Sequence, residues 1–440
     1  MPFVTDKQTL DDLNLLGKYK NNSVINLFNL TRTAGAEHLL ESMFQQPLTS
    51  VANINRRSQI FQYFQSKKLD FPFETEALSA TENYLSGASA SNILMAAGQN
   101  ARRKLLYYMG LRVEHDLIAN GLLTAIKMLA SIGGFISGLL QQDSQSPFAA
   151  ELQKANLIFN GNKLKWLESV NIAGPLSFFQ TVRCDYLLRT TLRDEIEVIL
   201  ELVHAMDVFI AVTDVSRAKG FSYALALPAE KDVLHIEAGF HPCLEKAVPN
   251  TADLDADNNV IFLTGANMAG KSTFMKSFGI SVYLAHMGFP VPAKSMTFSV
   301  KDGIYTSINV PDDLNMGYSH FYAEVLRVKK IAEEVSAPKS LVVIFDELFK
   351  GTNVKDAYDA TLAVSEVFAE HRNCFFIIST HIVEVGEVLG QRSDNIRFIY
   401  MPTEMNGKIP VYTYRAKQGI SSDRHGMMII ENEKILEIIG

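Results

Sequence analysis

Two glycines, Gly265 and Gly270, bracket Ala266, Asn267, Met268 and Ala269, and Lys271, Ser272 and Thr273 follow at once. Backbone N–H groups can wrap a phosphate only where no side chain blocks the approach and φ is free to be positive, which glycine supplies. A helix opening at Lys271 would aim its dipole and its unpaired N–H groups at the same phosphate. Lys271 is then placed to reach the β- and γ-oxygens, and the Ser272 hydroxyl to ligate Mg2+. Residues 265 to 273 therefore predict an ATP-binding loop.

A second run, Leu341-Val-Val-Ile-Phe-Asp346-Glu347, ends in adjacent carboxylates. Alone, such a pair is as often a solvated strand end. Combined with a phosphate loop, Asp346 is expected to hold the Mg2+ shell and Glu347 to orient and deprotonate an attacking water. A third apolar run, Cys374 to Thr380, leads into His381, which could donate a hydrogen bond to the γ-phosphate or the water, although a lone histidine is more often structural. The chemistry implied is Mg-dependent ATP hydrolysis, with Lys271, Glu347 and His381 as catalytic groups.

These residues need strands that end at one edge and helices that start there. Val260 to Thr264, Leu341 to Phe345 and Cys374 to Thr380 read as buried strands, and the stretches from Lys271 and from Asp356 to Glu370 read as helices. That alternation predicts βα units around a mostly parallel sheet. From about residue 5 to 225 apolar residues recur at three- and four-residue spacing, which predicts a helical half. Within it, Tyr186 to Val215 reads as one long strut. The texture changes near Tyr223-Ala-Leu-Ala-Leu and Val233-Leu-His-Ile-Glu, so two domains are expected, 1–225 helical and 226–440 α/β.

Residues 121 to 140 are apolar over nearly the length of a membrane span, but Lys127, two serines and several glycines favour a buried helix, or a hairpin broken at Gly133-Gly134. No stable membrane insertion is expected. A net charge of −7 excludes a uniformly basic surface, and residues 1–230 hold 21 Lys plus Arg against 22 Asp plus Glu. Arg102-Arg103-Lys104 with Arg112 is the dense basic cluster there, read as a solvated helix face. Cys184, Cys243 and Cys374 have no paired spacing, so neither a disulfide framework nor a zinc site is indicated, and a reduced, cytoplasmic protein is expected. The N-terminus has no secretion-signal pattern.

Taken together, these elements resemble the MutS family of DNA-mismatch-repair ATPases. Thr264-Gly-Ala-Asn267-Met268-Ala-Gly-Lys-Ser-Thr273 is similar to the family's phosphate loop, with Ala266 where proline is usual. Asp346-Glu347-Leu-Phe-Lys-Gly351-Thr352-Asn353 is similar to its Asp-Glu-x-x-x-Gly-Thr-Ser, with Asn for the last Ser, and Thr380-His381 to its switch. Asp312-Asp-Leu-Asn-Met-Gly-Tyr-Ser319-His-Phe321-Tyr-Ala-Glu324 resembles the segment that crosses the family's dimer interface. By that resemblance Ser319 touches the γ-phosphate bound to a partner subunit. Thr31-Arg32-Thr33-Ala-Gly35, Gln46-Pro47-Leu48-Thr49, Ile54-Asn55-Arg56, Gly239-Phe-His241-Pro242 and Gly419 to Gly426 extend the likeness over most of residues 23 to 430.

The resemblance implies an α-helical lever or core domain followed by an ABC-like P-loop ATPase domain, a homodimer, ATP and Mg2+ as cofactors, and action on mismatched or branched DNA in repair or recombination. By the resemblance, the chain is expected to open near the family's lever, without its mismatch-reading domain. Its 102–171 stretch is short for a DNA clamp, and Ala247-Val248 stands where the family often has an aromatic beside adenine. A nucleotide-gated scaffold that binds a protein or membrane partner without touching DNA is the alternative. A transporter-type ATPase is disfavoured, because Leu-Ser-Gly-Gly-Gln is absent.

Overall fold

The computed structural model describes residues 2–17, 22–87, 90–161, 164–169, 174, 176–308, 320–406, 409–421 and 438. The helices in chain order are Lys7–Asp12 (α1), Val24–Phe28 (α2), Ala34–Gln45 (α3), Val51–Lys67 (α4), Thr75–Ser86 (α5), Ile93–Tyr108 (α6), Val113–Gln142 (α7), Ala149–Asn160 (α8), Phe178–Tyr186 (α9), Arg193–Lys219 (α10), Lys271–His286 (α11), His320–Ser336 (α12), Val354–Ala369 (α13) and Val383–Arg392 (α14). The strands are Ser222–Tyr223 (β1), Leu225–Leu227 (β2), Val233–Gly239 (β3), Asn250–Asp255 (β4), Val260–Gly265 (β5), Pro290–Val291 (β6), Ser295–Ser299 (β7), Gly303–Ser307 (β8), Leu341–Asp346 (β9), Phe375–Ser379 (β10), Ile396–Met401 (β11), Thr403–Asn406 (β12), Ile409–Tyr412 (β13) and Lys417–Gln418 (β14).

Two compact units result, and they interleave in sequence where a single cut near 225 is expected. One comprises residues 29–41 and 59–213, and the other 1–28, 42–58 and 214–440. The physical reason lies in where the early residues find partners. Val4 bridges to Gly303, the Asp12 carboxylate accepts from Thr306 Oγ1 at 2.7 Å and Ile308 N at 2.9 Å, and Asp6 holds Arg327 and Lys330. These cations, Arg327 first, hold the Asp6 carboxyl below the usual carboxylate range against the opposing effect of its burial. Asn55 copies a strand edge: its amide donates to Ala226 O at 2.9 Å and accepts from Ala226 N at 3.0 Å. Phe28, Phe44, Phe221 and Phe289 then close one aromatic cluster from distant parts of the chain.

In the unit built from 29–41 and 59–213, Phe61, Phe64, Phe148 and Phe209 pack edge to face or tilted as its core. Helix α7 is continuous through Gly133-Gly134. Its Leu122, Ala125, Ile126, Leu129, Ile132 and Ile136 make a buried stripe at helical spacing, and a Cβ on Gly133 would lie 3.1 Å from Phe159. The apolar stretch is thus a core helix, and no hairpin breaks it. It is also long and apolar enough to cross a membrane by length and composition. The expected strut from Tyr186 to Val215 begins with a π-turn at Leu187–Thr191 and continues as α10.

The central sheet of the second unit has the order β14-β11-β5-β10-β9-β8, with β11, β5, β10, β9 and β8 parallel and β14 antiparallel at one edge. Strands β5 and β10 are buried throughout, and β9 is buried up to Asp346, as their unbroken apolar runs require. A second sheet, β2-β7-β3-β4, and the pairs β1-β6 and β12-β13 complete the strands described.

Candidate functional site

Register sets the site. Ser379 of β10 stands level with Leu263 of β5 on one side and Asp346 of β9 on the other, so three strands deliver their C-terminal ends together. Beyond β5 the chain turns tightly into α11. Gly265 has φ +140° and Gly270, the cap of α11, has φ +104°, both in glycine's region. A Cβ on Gly265 would lie 2.9 Å from the Met401 carbonyl oxygen. Met268 between them also has positive φ, and its side chain is exposed. Helix α11 starts at the mouth of this turn, where the first N–H groups of a helix lack intrahelical acceptors.

The lysine is folded back. Lys271 Nζ donates to the carbonyls of Gly265 at 2.9 Å and Ala266 at 3.2 Å. Burial lowers its pKa, opposed by the charges of Glu347 and Asp346. Ser272 Oγ donates to Asp346 Oδ2 at 2.6 Å, and Ser379 Oγ to Asp346 Oδ1 at 2.9 Å. The serine and aspartate predicted to share a Mg2+ shell are therefore already adjacent. They form a hard oxygen donor set at the end of a phosphate cradle, which fits a small divalent cation that keeps phosphate and water as its other ligands.

Directly after β9 the backbone departs from the strand: Glu347 has φ +55° and Phe349 φ +61°, left-handed values that few non-glycine residues adopt. Glu347 N still donates to Ser379 O at 3.0 Å, so the turn is held to the sheet while the carboxylate swings toward the next strand. There Glu347 Oε1 lies 2.5 Å from His381 Nε2. That hydrogen bond, more than any other influence, lowers the Glu347 pKa. Gly351 allows the start of α12 to approach, since a Cβ there would meet Phe321 N at 2.9 Å. Asn353, where the resembled motif has Ser, caps α13 by accepting from Asp356 N at 3.0 Å.

Residues 265–273, Asp346, Glu347 and His381 lie near one another at the ends of β5, β9 and β10. Ser319, the 312–318 stretch read with it, and residues 422–426 lie outside the described residues. One part of the site is not apparent in the sequence. A cavity of about 290 Å³ adjoins Gly270, lined among others by His241, Ala247, Val248, Asn250, Thr273 and Tyr414. Tyr414 stands on this wall, its Cδ1 3.0 Å from where a Cβ on Gly270 would lie. Asn250 fixes that segment, donating to Tyr414 O at 2.9 Å and accepting from Ala416 N at 2.7 Å. Burial lowers the pKa of His241 and so favours its neutral form. In the sequence, Gly239-Phe-His241-Pro242 and Ala247-Val248 point to parts of this wall, and Tyr414 carries no such signal.

A parallel sheet, a glycine-bracketed turn into a buried helix, and carboxylates at the neighbouring strand ends define an α/β domain of the phosphate-loop class. Residues 261–439 match the family model described as MutS domain V. The DNA mismatch repair protein MutS of Listeria welshimeri is 29% identical over 265 residues, 57% of this chain and 30% of that protein. The MutS proteins of Bacillus licheniformis and Acetivibrio thermocellus are 31% and 32% identical, over 46% and 51% of this chain and 23% and 26% of theirs. Through this portion the chain is similar to the MutS family. It spans less than a third of the length of these relatives.

Proposed function

We propose that this chain binds ATP with Mg2+ and hydrolyses it, and that the cycle drives a MutS-like action on DNA in repair or recombination. The observation that carries the ATPase reading is the convergence of Lys271, Ser272, Asp346, Glu347 and His381 on the mouth of the 265–273 turn. The phosphates lie in the glycine cradle, and the base enters the cavity walled by Tyr414 and His241. Lys271 exchanges its two backbone carbonyls for phosphate oxygens, neutralising charge where it is buried. Ser272 and Asp346 would hold the cation, which would supply offsetting charge to the β- and γ-phosphates. Glu347, kept ionised by the His381 hydrogen bond, takes the proton of the attacking water and becomes the neutral acid, and His381 holds its carboxyl in place. Ser319 completes the site from a second subunit in a homodimer.

The DNA role rests on the family and on the relatives' names. The balanced charge of residues 1–230 supports a second reading, a nucleotide-gated scaffold with no DNA contact. Equilibrium binding of a fluorescent ATP analogue and phosphate release, each over a range of protein concentrations, test the first part. Turnover should rise with concentration as the dimer forms. Mobility shifts with homoduplex, mismatched and branched DNA at low salt, with and without ATP, test the second. Retardation of none of them would sink the DNA role and leave the scaffold.

A further inference from the structure

One face of the helical unit is apolar and uncovered. Along α6, Leu94, Gly98, Ala101, Leu105 and Tyr108 recur at helical spacing. Leu94, Leu105 and Tyr108 are 80%, 63% and 73% exposed, and a Cβ on Gly98 would meet nothing within 4 Å. The opposite side of the same helix is satisfied, with Ala96 and Asn100 buried and α6 packed on α9 and α7. The stripe continues through the turn at Gly110 into α7, where Met109, Leu111, Val113 and Leu117 are 63–84% exposed. Soluble surfaces rarely leave so many large apolar groups contiguous.

Charge identifies the occupant. Residues 94–117 carry Arg102, Arg103, Lys104 and Arg112 against Glu114 and Asp116, a local excess of cations in a chain whose net charge is −7. Arg102 and Arg112 are exposed beside the stripe, Arg112 lies over the Tyr107 ring at 5.2 Å, and Arg103 pairs with Glu114 at 3.1 Å. A second copy of the same face would set cation against cation. A nucleic-acid backbone would satisfy the cations but leave the leucines, methionine and valine without an apolar partner. A bilayer containing anionic lipid satisfies both, with tyrosines at the level of the headgroups.

We infer that α6 and the turn into α7 form a docking face for a membrane surface bearing anionic lipids. The association is peripheral: α6 lies along the interface over about 24 Å, at 1.5 Å per residue. Helix α7 keeps its own apolar stripe inside the unit.

The test is co-sedimentation of the full chain with vesicles of phosphatidylcholine alone or with about 30% phosphatidylglycerol, at low and high salt. Binding is expected to the anionic vesicles only, and to weaken with salt. Changing Leu105→Asp together with Leu111→Asp, or Arg102→Glu together with Arg112→Glu, should lower that binding about tenfold or more. Thermal melting should be unchanged, since all four side chains are outside the core. A Leu111→Trp variant reads insertion directly through a blue shift of its emission on adding anionic vesicles. The inference is overturned by equal binding to neutral vesicles or to none, by leucine variants that bind as the parent does, or by an unshifted tryptophan. It is equally overturned if those variants instead lose self-association or DNA retardation measured without vesicles.

Discussion

Changing Glu347→Gln separates binding from chemistry at this site. The two side chains have the same shape, so the left-handed turn, the backbone bond to Ser379 and the cradle at residues 265–273 are left in place. What is lost is one negative charge and the charge-assisted character of the 2.5 Å contact with His381. Glu347 and His381 have side chains 26% and 37% exposed, so solvent screens that contact, and its removal should alter stability by about 1 kcal/mol or less. Loss of a general base, by contrast, lowers turnover by about 10²- to 10⁴-fold, roughly 3–5 kcal/mol of barrier. The variant should therefore bind an ATP analogue with parental affinity, melt within a few degrees of the parent, and accumulate unhydrolysed ATP. Single-turnover phosphate release beside equilibrium binding measures both quantities. Parental turnover, or a parallel loss of binding and turnover, would falsify the assignment of Glu347 as the base.

The His381→Ala variant should show a shifted pH profile. An acid limb set by Glu347 appears as pH falls through its folded pKa, which the His381 hydrogen bond lowers, so removing the histidine should move the limb of kcat/KM to higher pH. An unmoved limb would mean that Glu347 does not set it. Gly265→Ala puts a Cβ 2.9 Å from the Met401 carbonyl oxygen at φ +140°, and should cost about 2 kcal/mol in denaturant unfolding, together with nucleotide affinity. Unchanged stability would show that the turn relaxes. Tyr414→Ala should weaken ATP binding about tenfold through lost stacking, while inorganic pyrophosphate binds as before. An equal loss for both ligands would place Tyr414 with the phosphates rather than the base.

Local signals made the α/β part legible in the sequence. Val260-Ile-Phe-Leu-Thr264 and Leu341-Val-Val-Ile-Phe345 are apolar enough to be strands buried on both faces, and Gly265 and Gly270 stand where backbone conformation demands glycine. Partnerships across long separations were not legible. Nothing local indicates that Asp6 meets Arg327, or that Asn55 completes a strand edge at Ala226, so a boundary read from local texture does not show the interleaving of the two units. Gly133-Gly134 shows a related limit. Paired glycines suggest a break, yet here one accommodates Phe159 and the helix continues, because tertiary packing outweighs a propensity cost of about 1 kcal/mol per glycine. Tyr414 is illegible for the same reason as Asp6: the residue its ring lies against, Gly270, is far away along the chain.

The backbone at position 347 has a consequence for how this protein can be improved or can decay. A left-handed conformation costs a glutamate about 1–2 kcal/mol relative to a residue at ease there, so Glu347→Gly or Glu347→Asn would relieve strain in the folded state. Selection for heat resistance alone, whether by an engineer or in a lineage that no longer needs turnover, would favour those changes. On the proposed function, the products would be sturdier proteins that still hold nucleotide and cannot consume it, and a catalyst would become a latch through a substitution that an unfolding assay records as a gain.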